Sequence, residues 1–508
     1  MKKTLQIVNN EIFQTAIFFV VLLIVMAFAG YFDILFTEPH SIHFIRQTDS
    51  LSFASNYFRN GMNFFEPATF NLSSINGKAA CEFPLLYYIT AVFYHIFGEN
   101  PAILRSISII IVFSGFYFLY KALLLVFKDL TYSLAISFLI ISSGILLFYA
   151  NNFLPDAPAF GFAISAWAFA VFFHYNKKHK HLIISFLFFL MSALLKITYS
   201  INFLSLTAVL LIWQLFYKKI LSQKDFKLFI ALLIVFLLLV SSWNLWVLHY
   251  NQVNNDRYFL TSATPLWEMT GAQIDNTLDY LTNYWRIYFY YPSTLHFFII
   301  ASLFVIVFAR KSPRFLWFVN LFILLGSISF GILFFQKFTD HDYYLITFIP
   351  LLLITTVNFF LTFKNKFPKI YNSIYTKLIF VVLVVLSVNY SIYNFHRRYN
   401  HKFYYEDIAE KMPDIVSYFN KNKKLNTNTV FYVFGDETYN GSLYFLKSKG
   451  YTFANTEAYK RKKNNLIKPD FVINLSDSLP LSKNIKQELN LRLQKEINGK
   501  KIYESIER

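Results

Sequence analysis

Acidic side chains that could take part in catalysis stand in three short polar stretches of a mostly apolar chain. Asp49 lies in HSIHFIRQTDSLSF, with Arg46 three residues before it. Glu82 precedes the run FPLLYYITAVFYHIFG, and Asp156 lies in NNFLPDAP. An ionised carboxylate within hydrogen-bond reach can accept a proton from an attacking hydroxyl. The alternatives are a helix-capping role for Asp49 and a favourable interaction with a helix dipole for Asp156.

Cationic and phenolic side chains in two further stretches have the donors that a phosphate requires. Lys196 lies in LLKITYS between two apolar runs, where a lone ammonium is costly unless it has a phosphate or carboxylate partner. Snorkelling to the membrane surface is the alternative for this lysine. His341, Tyr343 and Tyr344 lie in QKFTDHDYYLITF. They can donate hydrogen bonds to a phosphate, or they can be ordinary interface anchors.

Metal binding is a second role open to two of the carboxylates. Divalent cations prefer oxygen ligands, and imidazole can complete such a set. Glu82 and Asp156 are therefore candidate metal ligands, and a divalent metal ion is a candidate cofactor. The single cysteine, Cys81, excludes an intramolecular disulfide and a zinc cluster built on cysteines.

The composition of the 508-residue chain is that of a polytopic membrane protein. Hydrophobic residues make up 56% and charged residues 15%, which excludes disorder because so apolar a chain could not stay solvated. With 14 glycines and 14 prolines, the chain is not rich in linkers or low-complexity sequence. It contains no glycine-rich nucleotide-binding loop, and we expect no nucleic-acid partner.

Apolar runs of about 20 residues, the length that crosses a bilayer as a helix, occur about eleven times. They lie at approximately 12–32, 101–127, 131–149, 156–175, 181–196, 199–217, 228–247, 294–309, 315–335, 343–363 and 376–394. These runs do not alternate in polarity, which favours helices over barrel strands. The shorter run 84–97 is predicted to be a helix lying in the membrane interface. A signal peptide is the alternative for the first run.

The distribution of charge predicts the orientation and the domains. Basic residues concentrate in alternate connecting segments, which predicts a cytoplasmic N-terminus and a C-terminus on the outer side. We therefore expect a transmembrane domain over 1–395, with a first outer loop at about 33–100, and an α/β domain over 396–508 outside the membrane.

The polar tail has the pattern of a small α/β domain. We expect a helix near 404–420, the strand NTVFYVFG, a helix at 440–449, the strand PDFVINL, and two final strands joined by an Asn498-Gly499 turn. Its excess of basic residues favours anionic lipid headgroups or glycans as partners. The alternative is that these residues form an ordinary solvated surface.

These motifs, in this order, resemble the large membrane glycosyltransferases with the GT-C fold. The likeness is closest to the bacterial branch related to protein O-mannosyltransferases and the aminoarabinose transferase of lipid A. It is carried by RQTD and EFPLLYYITAVFYHIFG in the first loop, then PDAP, LLKITY and HDYYL, and by VFYVFG and SLYFLKSKGYTF in the tail. The resemblance implies a helical membrane domain followed by an α/β domain outside the membrane.

The resemblance also implies roles for individual residues. The position of the family's catalytic base matches Asp49, and positions implicated in metal or donor binding match Glu82 and Asp156. The phosphate-contacting positions fall on Arg46, Lys196 and Tyr343 or Tyr344. Many relatives carry a paired Asp-Glu in the first loop, whereas Ser50 follows Asp49 here, which leaves a single base candidate.

The hypothesis that follows is an inverting glycosyl transfer at the outer face of a bacterial inner membrane. The donor would be a polyprenyl-phosphate-linked sugar, and the acceptor a hydroxyl of a lipid, a protein or a glycan. A transporter or lipid flippase is the first alternative, but such proteins place ionisable groups near the bilayer midplane. An O-antigen polymerase or ligase is the second, and the α/β tail argues against it.

Overall fold

The chain is mostly helical in the computed structural model, which describes residues 10–217, 219–259, 263–401, 407–423, 425, 428–476 and 481–506. It divides into two units. The helical unit comprises segments 1–34, 108–243 and 262–397, and the mixed unit comprises segments 35–107, 244–261 and 398–508. The sequence-based domain boundary at residue 395 stays a prediction.

Long apolar helices make up most of the helical unit. In the described part of the chain, eight helices are long and apolar enough to cross a membrane, or up to ten if each of two bent pairs is one span. The eight are Glu11–Phe28, Pro101–Phe127, Asp156–Asn176, Ile197–Tyr217, Gln223–Val253, Arg314–Leu333, Asp342–Lys366 and Ile374–Tyr399. The bent pairs are Leu130–Ile141 with Gly144–Ala150, at 77°, and Gly271–Phe289 with Pro292–Val307, at 102°.

The predicted class, a helical membrane domain with a small α/β domain, is confirmed. Ten of the predicted apolar runs fall on these helices. The remaining run falls on His179–Leu195, a shorter apolar helix that with 17 residues lies at the lower end of the length that crosses a bilayer. The long apolar helices among the described residues therefore number eight to ten, compared with about eleven predicted runs.

Local sequence explains the two bends. In the first pair, Ser143 caps the second helix, because its hydroxyl accepts a hydrogen bond from the backbone N–H of Leu146 at 3.3 Å. In the second pair, Pro292 occupies the first turn of the last helix, where its missing N–H and fixed φ favour a helix start.

Glycines let two helices approach closely beside the segment that carries Asp156. A Cβ on Gly115 would lie 2.5 Å from the carbonyl oxygen of Gly161, and a Cβ on Gly161 would lie 2.8 Å from the Cα of Val112. Small residues at helix contacts are the usual means of close packing in lipid. The contact holds the helix Asp156–Asn176, whose first residue is the candidate carboxylate.

The mixed unit contains a five-stranded sheet with the order β2-β1-β3-β5-β4. Its strands are β1 Val430–Phe434, β2 Lys449–Phe453, β3 Phe471–Asn474, β4 Leu491–Ile497 and β5 Lys500–Ser505. β1 pairs in parallel with β2 and β3, and β5 pairs antiparallel with β3 and β4. β1 is buried at every residue, as a central parallel strand must be when both faces of the sheet are covered.

Most of the predicted tail elements are confirmed. The first helix is described from Asp407 to Asn422, whereas residues 404–406 of the predicted range lie outside the described residues. Asn498 and Gly499 join β4 to β5 and have φ of 46° and 78°, the left-handed pair that a tight hairpin turn requires.

One stretch of the tail differs from its prediction. The helix expected at 440–449 is Gly441–Leu446, because Lys447 adopts a left-handed conformation with φ of 50° and ends it. The chain then enters β2 at Lys449, a strand that the sequence analysis missed. Five residues of mixed polarity carry too little periodic signal to distinguish a strand from the end of a helix.

Candidate functional site

Helix Phe44–Asn60 of the mixed unit positions two of the predicted residues on one face. Arg46 and Asp49 are three residues apart and so lie one turn from each other. The N-cap of this helix is His43. Asp49 lies beyond the first turn of the helix, and its side chain is fully buried. The alternative that Asp49 caps the helix is therefore wrong.

The interactions of the Asp49 carboxylate with its neighbours involve only one of its two oxygens. Its Oδ2 accepts a hydrogen bond from the hydroxyl of Tyr258 at 3.1 Å and lies 3.9 Å from Nη1 of Arg46. Its Oδ1 is buried and has no hydrogen-bond partner among the described residues. A buried carboxylate oxygen without a partner is costly, and such atoms occur where a substrate or water completes the site.

Burial is the main influence on the ionisation of Asp49 and raises the pKa of this carboxyl to about 7. The charge of Arg46 and the hydrogen bond from Tyr258 oppose the rise, and the nearby Glu82 and Asp256 carboxylates add to it. A general base works best when its pKa lies near the operating pH, and this environment supplies that condition.

Arg46 is fixed by a second carboxylate. Its Nη2 lies 3.3 Å and 3.4 Å from the two oxygens of Glu82, and its guanidinium carbon lies 5.6 Å from the centre of the Phe259 ring. The hydroxyl of Tyr87 also donates to Glu82. The structure thus brings together three of the predicted residues, Arg46, Asp49 and Glu82, in one partly buried polar cluster of the mixed unit.

Two members of this cluster were not predicted. Tyr258 follows the long helix Gln223–Val253, and Asp256 accepts hydrogen bonds from the backbone N–H groups of Tyr258 and Phe259 at 3.4 Å and 3.0 Å. Burial raises the pKa of Asp256, and these backbone hydrogen bonds lower it. The polar triplet Asp256 to Tyr258, placed directly after a long apolar run, was the signal available in the sequence.

The other predicted residues form a second cluster, which lies in the helical unit. Nζ of Lys196 lies 3.1 Å from Oδ1 of Asp156 and stands over the rings of Tyr343 and Tyr344, at 5.3 Å and 5.1 Å from their centres. His341 stacks on Tyr343 with ring centres 5.2 Å apart. The predicted carboxylate partner of Lys196 is therefore Asp156.

Asp156 also fulfils its alternative interpretation. It is the first residue of its helix, where a carboxylate interacts favourably with the helix dipole. The two interpretations are compatible, because one oxygen can face the ammonium group while the charge as a whole lies at the helix N-terminus.

Each of the two carboxylates predicted to bind a metal is engaged by other side chains of the protein. Glu82 already accepts from Arg46 and Tyr87, and Asp156 is paired with Lys196. Among the described residues no three His, Cys, Asp or Glu side chains converge as a metal site would require. The metal role of Glu82 and Asp156 stays a prediction.

Comparisons with known proteins agree with this architecture at the level of fold. No protein-family model and no curated protein matches the sequence. Among solved structures, the chain is similar to ArnT from Cupriavidus metallidurans in the apo state, with 11% identity, a TM-score of 0.59 and 97% of each chain covered. It has the GT-C fold. The predicted resemblance is confirmed in that sense.

Two further structures with the GT-C fold match over most of this chain. One is the same ArnT bound to undecaprenyl phosphate, with 12% identity, a TM-score of 0.57, and 97% of this chain and 98% of ArnT covered. The other is the apo oligosaccharyltransferase of Archaeoglobus fulgidus, with 12% identity, a TM-score of 0.52, and 90% of this chain and 69% of that chain covered. The GT-C fold thus accounts for both the helical unit and the mixed unit.

Proposed function

We propose that this chain is a membrane glycosyltransferase that moves a sugar from a polyprenyl-phosphate donor to a hydroxyl acceptor. The proposal depends on the environment of Asp49. This carboxylate is buried, and one of its oxygens accepts a hydrogen bond from Tyr258, while the other has no hydrogen-bond partner among the described residues. The GT-C fold supports it, since similar chains are glycosyltransferases and one of them is bound to undecaprenyl phosphate.

Asp49 acts as the general base in the proposed reaction. The acceptor hydroxyl gives its proton to Asp49 while its oxygen forms a bond to the anomeric carbon. The bond between that carbon and the phosphate oxygen breaks, and the electron pair leaves with the polyprenyl phosphate. Attack from the face opposite the leaving group inverts the configuration. Arg46 and Tyr258 keep the carboxylate oriented toward the acceptor.

The donor phosphate is assigned to the second cluster. Lys196 supplies a positive charge, and its pairing with Asp156 holds the ammonium group in place before the donor arrives. Tyr343, Tyr344 and His341 supply hydrogen-bond donors as negative charge develops on the leaving phosphate. The charge distribution of the connecting segments supports a site on the outer side of a bacterial inner membrane, with the C-terminal segment on that side.

Substitution of the base tests the proposal. Mass spectrometry would compare glycolipids, glycoproteins and glycans from cells with the native chain, with Asp49→Asn, or without the chain. We expect Asp49→Asn to abolish a glycosylated product while its level in the membrane stays normal. Asp275→Asn, the same change at an exposed position, is the matched control. Normal product with Asp49→Asn would remove Asp49 as the base.

Binding of the carrier tests the phosphate cluster separately. Native mass spectrometry of the chain in nanodiscs would measure retention of undecaprenyl phosphate. Loss of one charge-assisted contact in Lys196→Met should weaken retention by about tenfold. Lys369→Met, which removes an exposed lysine that follows helix Asp342–Lys366, should retain the carrier as the native chain does. Equal retention by both variants would refute the assigned role of Lys196.

A further inference from the structure

A loop of the tail contacts the tyrosine that holds the candidate base. Residues 435–440, here called the 435–440 loop, follow β1 and include Tyr439. The ring of Tyr439 is parallel to that of Tyr258, with an angle of 3° between their planes and ring centres 3.8 Å apart. Tyr258 is the residue whose hydroxyl donates to Asp49.

Besides Tyr439, Tyr258 packs against the ring of the adjacent Phe259 in an edge-to-face arrangement, with ring centres 4.7 Å apart. It lies in a turn beyond the end of helix Gln223–Val253, and 39% of the residue is exposed. The backbone of this turn is fixed by Asp256, but the two side-chain dihedrals of a half-exposed tyrosine are not fixed by the backbone. The stacked ring of Tyr439 covers one face of Tyr258 and thereby limits where its hydroxyl can point.

The 435–440 loop is itself rigidly held. Asp436 accepts hydrogen bonds from the backbone N–H and the hydroxyl of Thr438, at 2.7 Å and 2.6 Å, and from the backbone N–H of Ser442 at 3.0 Å. The carbonyl oxygen of Tyr439 accepts from the side chains of Asn71 and Thr452. Tyr439 is therefore a fixed surface for Tyr258 to pack on.

The same loop also contacts the helix that carries Asp49. The side-chain amide of Asn440 donates to the hydroxyl of Ser52, which is three residues after Asp49 and on the same helix face. The next residue, Gly441, lies so close to Phe44 that a Cβ there would be 2.9 Å from the phenylalanine ring. The 435–440 loop thus contacts both helix Phe44–Asn60, which carries Asp49, and Tyr258, whose hydroxyl donates to Asp49.

We propose that Tyr439 is a positioning residue of the candidate active site, which orients the Tyr258 hydroxyl toward Asp49 by stacking. The inference rests on the proposed function and assigns the tail a part in catalysis. It requires that catalysis depends on the aromatic ring of Tyr439, and that this dependence is lost when the Tyr258 hydroxyl is absent.

A double-mutant cycle tests this coupling. We expect Tyr439→Ala and Tyr439→Leu to lower kcat by about tenfold with KM for the donor nearly unchanged, and Tyr439→Phe to keep most of the activity. In a Tyr258→Phe background, where the hydroxyl is absent, Tyr439→Ala should cause no further loss. Tyr418→Ala, in helix Asp407–Asn422 of the tail, is the control and should be active in both backgrounds.

Two outcomes would overturn the inference. One is normal kcat in Tyr439→Ala and Tyr439→Leu. The other is the same loss from Tyr439→Ala with and without the Tyr258 hydroxyl, which would indicate a general role in folding of the tail.

A measurement without turnover separates this inference from the proposed function. The infrared carboxyl band of Asp49, assigned by its disappearance in Asp49→Asn, should shift in Tyr439→Ala as it does in Tyr258→Phe. An unchanged band overturns the positioning role. A native chain that transfers no sugar overturns the proposed function, and the infrared band still tests the stacking.

Discussion

Removal of the Tyr258 hydroxyl should shift the pH dependence of the reaction toward higher pH. Asp49 must be ionised to accept a proton, so kcat/KM should rise with pH through the pKa of this carboxyl, which burial raises to about 7. The hydrogen bond from Tyr258 stabilises the carboxylate and lowers this pKa. Tyr258→Phe removes the bond and keeps the ring, so the pKa should rise further.

The geometry sets the size of the shift. A hydrogen bond to a charged group contributes about 1.5 to 3 kcal/mol. The distance of 3.1 Å and the 39% exposure of Tyr258 favour the lower end of that range. About 1.5 kcal/mol corresponds to about one pKa unit. The acidic limb of the profile should therefore move from about pH 7 to about pH 8.

The assay is kcat/KM for sugar transfer in nanodiscs, measured across the neutral range for the native chain and the variant. Tyr250→Phe is the control, since the hydroxyl of Tyr250 donates to the backbone of Pro67, and its profile should match that of the native chain. A limb that stays in place or moves to lower pH in Tyr258→Phe would refute the assignment of Asp49 as the titrating base.

Three further changes have expected outcomes. Glu82→Gln removes a negative charge that raises the pKa of Asp49, so the acidic limb should move down by about half a pH unit. Lys196→Met leaves a buried carboxylate without its ammonium group and should cost on the order of 3 kcal/mol of stability, measured as a lower Tm. Gly441→Ala places a Cβ 2.6 Å from a threonine oxygen and should cost about 1 to 3 kcal/mol, whereas Gly271→Ala, with open space around its Cβ, should cost nothing.

Each of these expectations can fail in a distinct way. An upward shift in Glu82→Gln would mean that the arginine beside it loses its orientation when the carboxylate is removed. An unchanged Tm in Lys196→Met would show that the ion pair adds nothing to stability. Equal Tm values for Gly441→Ala and Gly271→Ala would show that the chain at Gly441 can move away from helix Phe44–Asn60 without a loss of stability.

The sequence alone determined the helical membrane class and the approximate positions of most long helices. Apolar length is a local property, so ten of the predicted runs appear as long or bent helices. Local spacing also placed Arg46 beside Asp49, because residues three apart share a helix face. The turn at Asn498 and Gly499 followed from the same kind of local signal.

Only the tertiary structure decided which distant side chains meet. Tyr258 lies 209 residues from Asp49 in the sequence, yet its hydroxyl donates to that carboxylate. Tyr439, from the tail, stacks on Tyr258, and Lys196 pairs with Asp156 across a helix hairpin. Such contacts depend on how whole elements pack, and hydropathy and spacing carry no information about that packing. For the same reason the burial of Asp49, which sets its pKa near neutrality, could not be read from residue types alone.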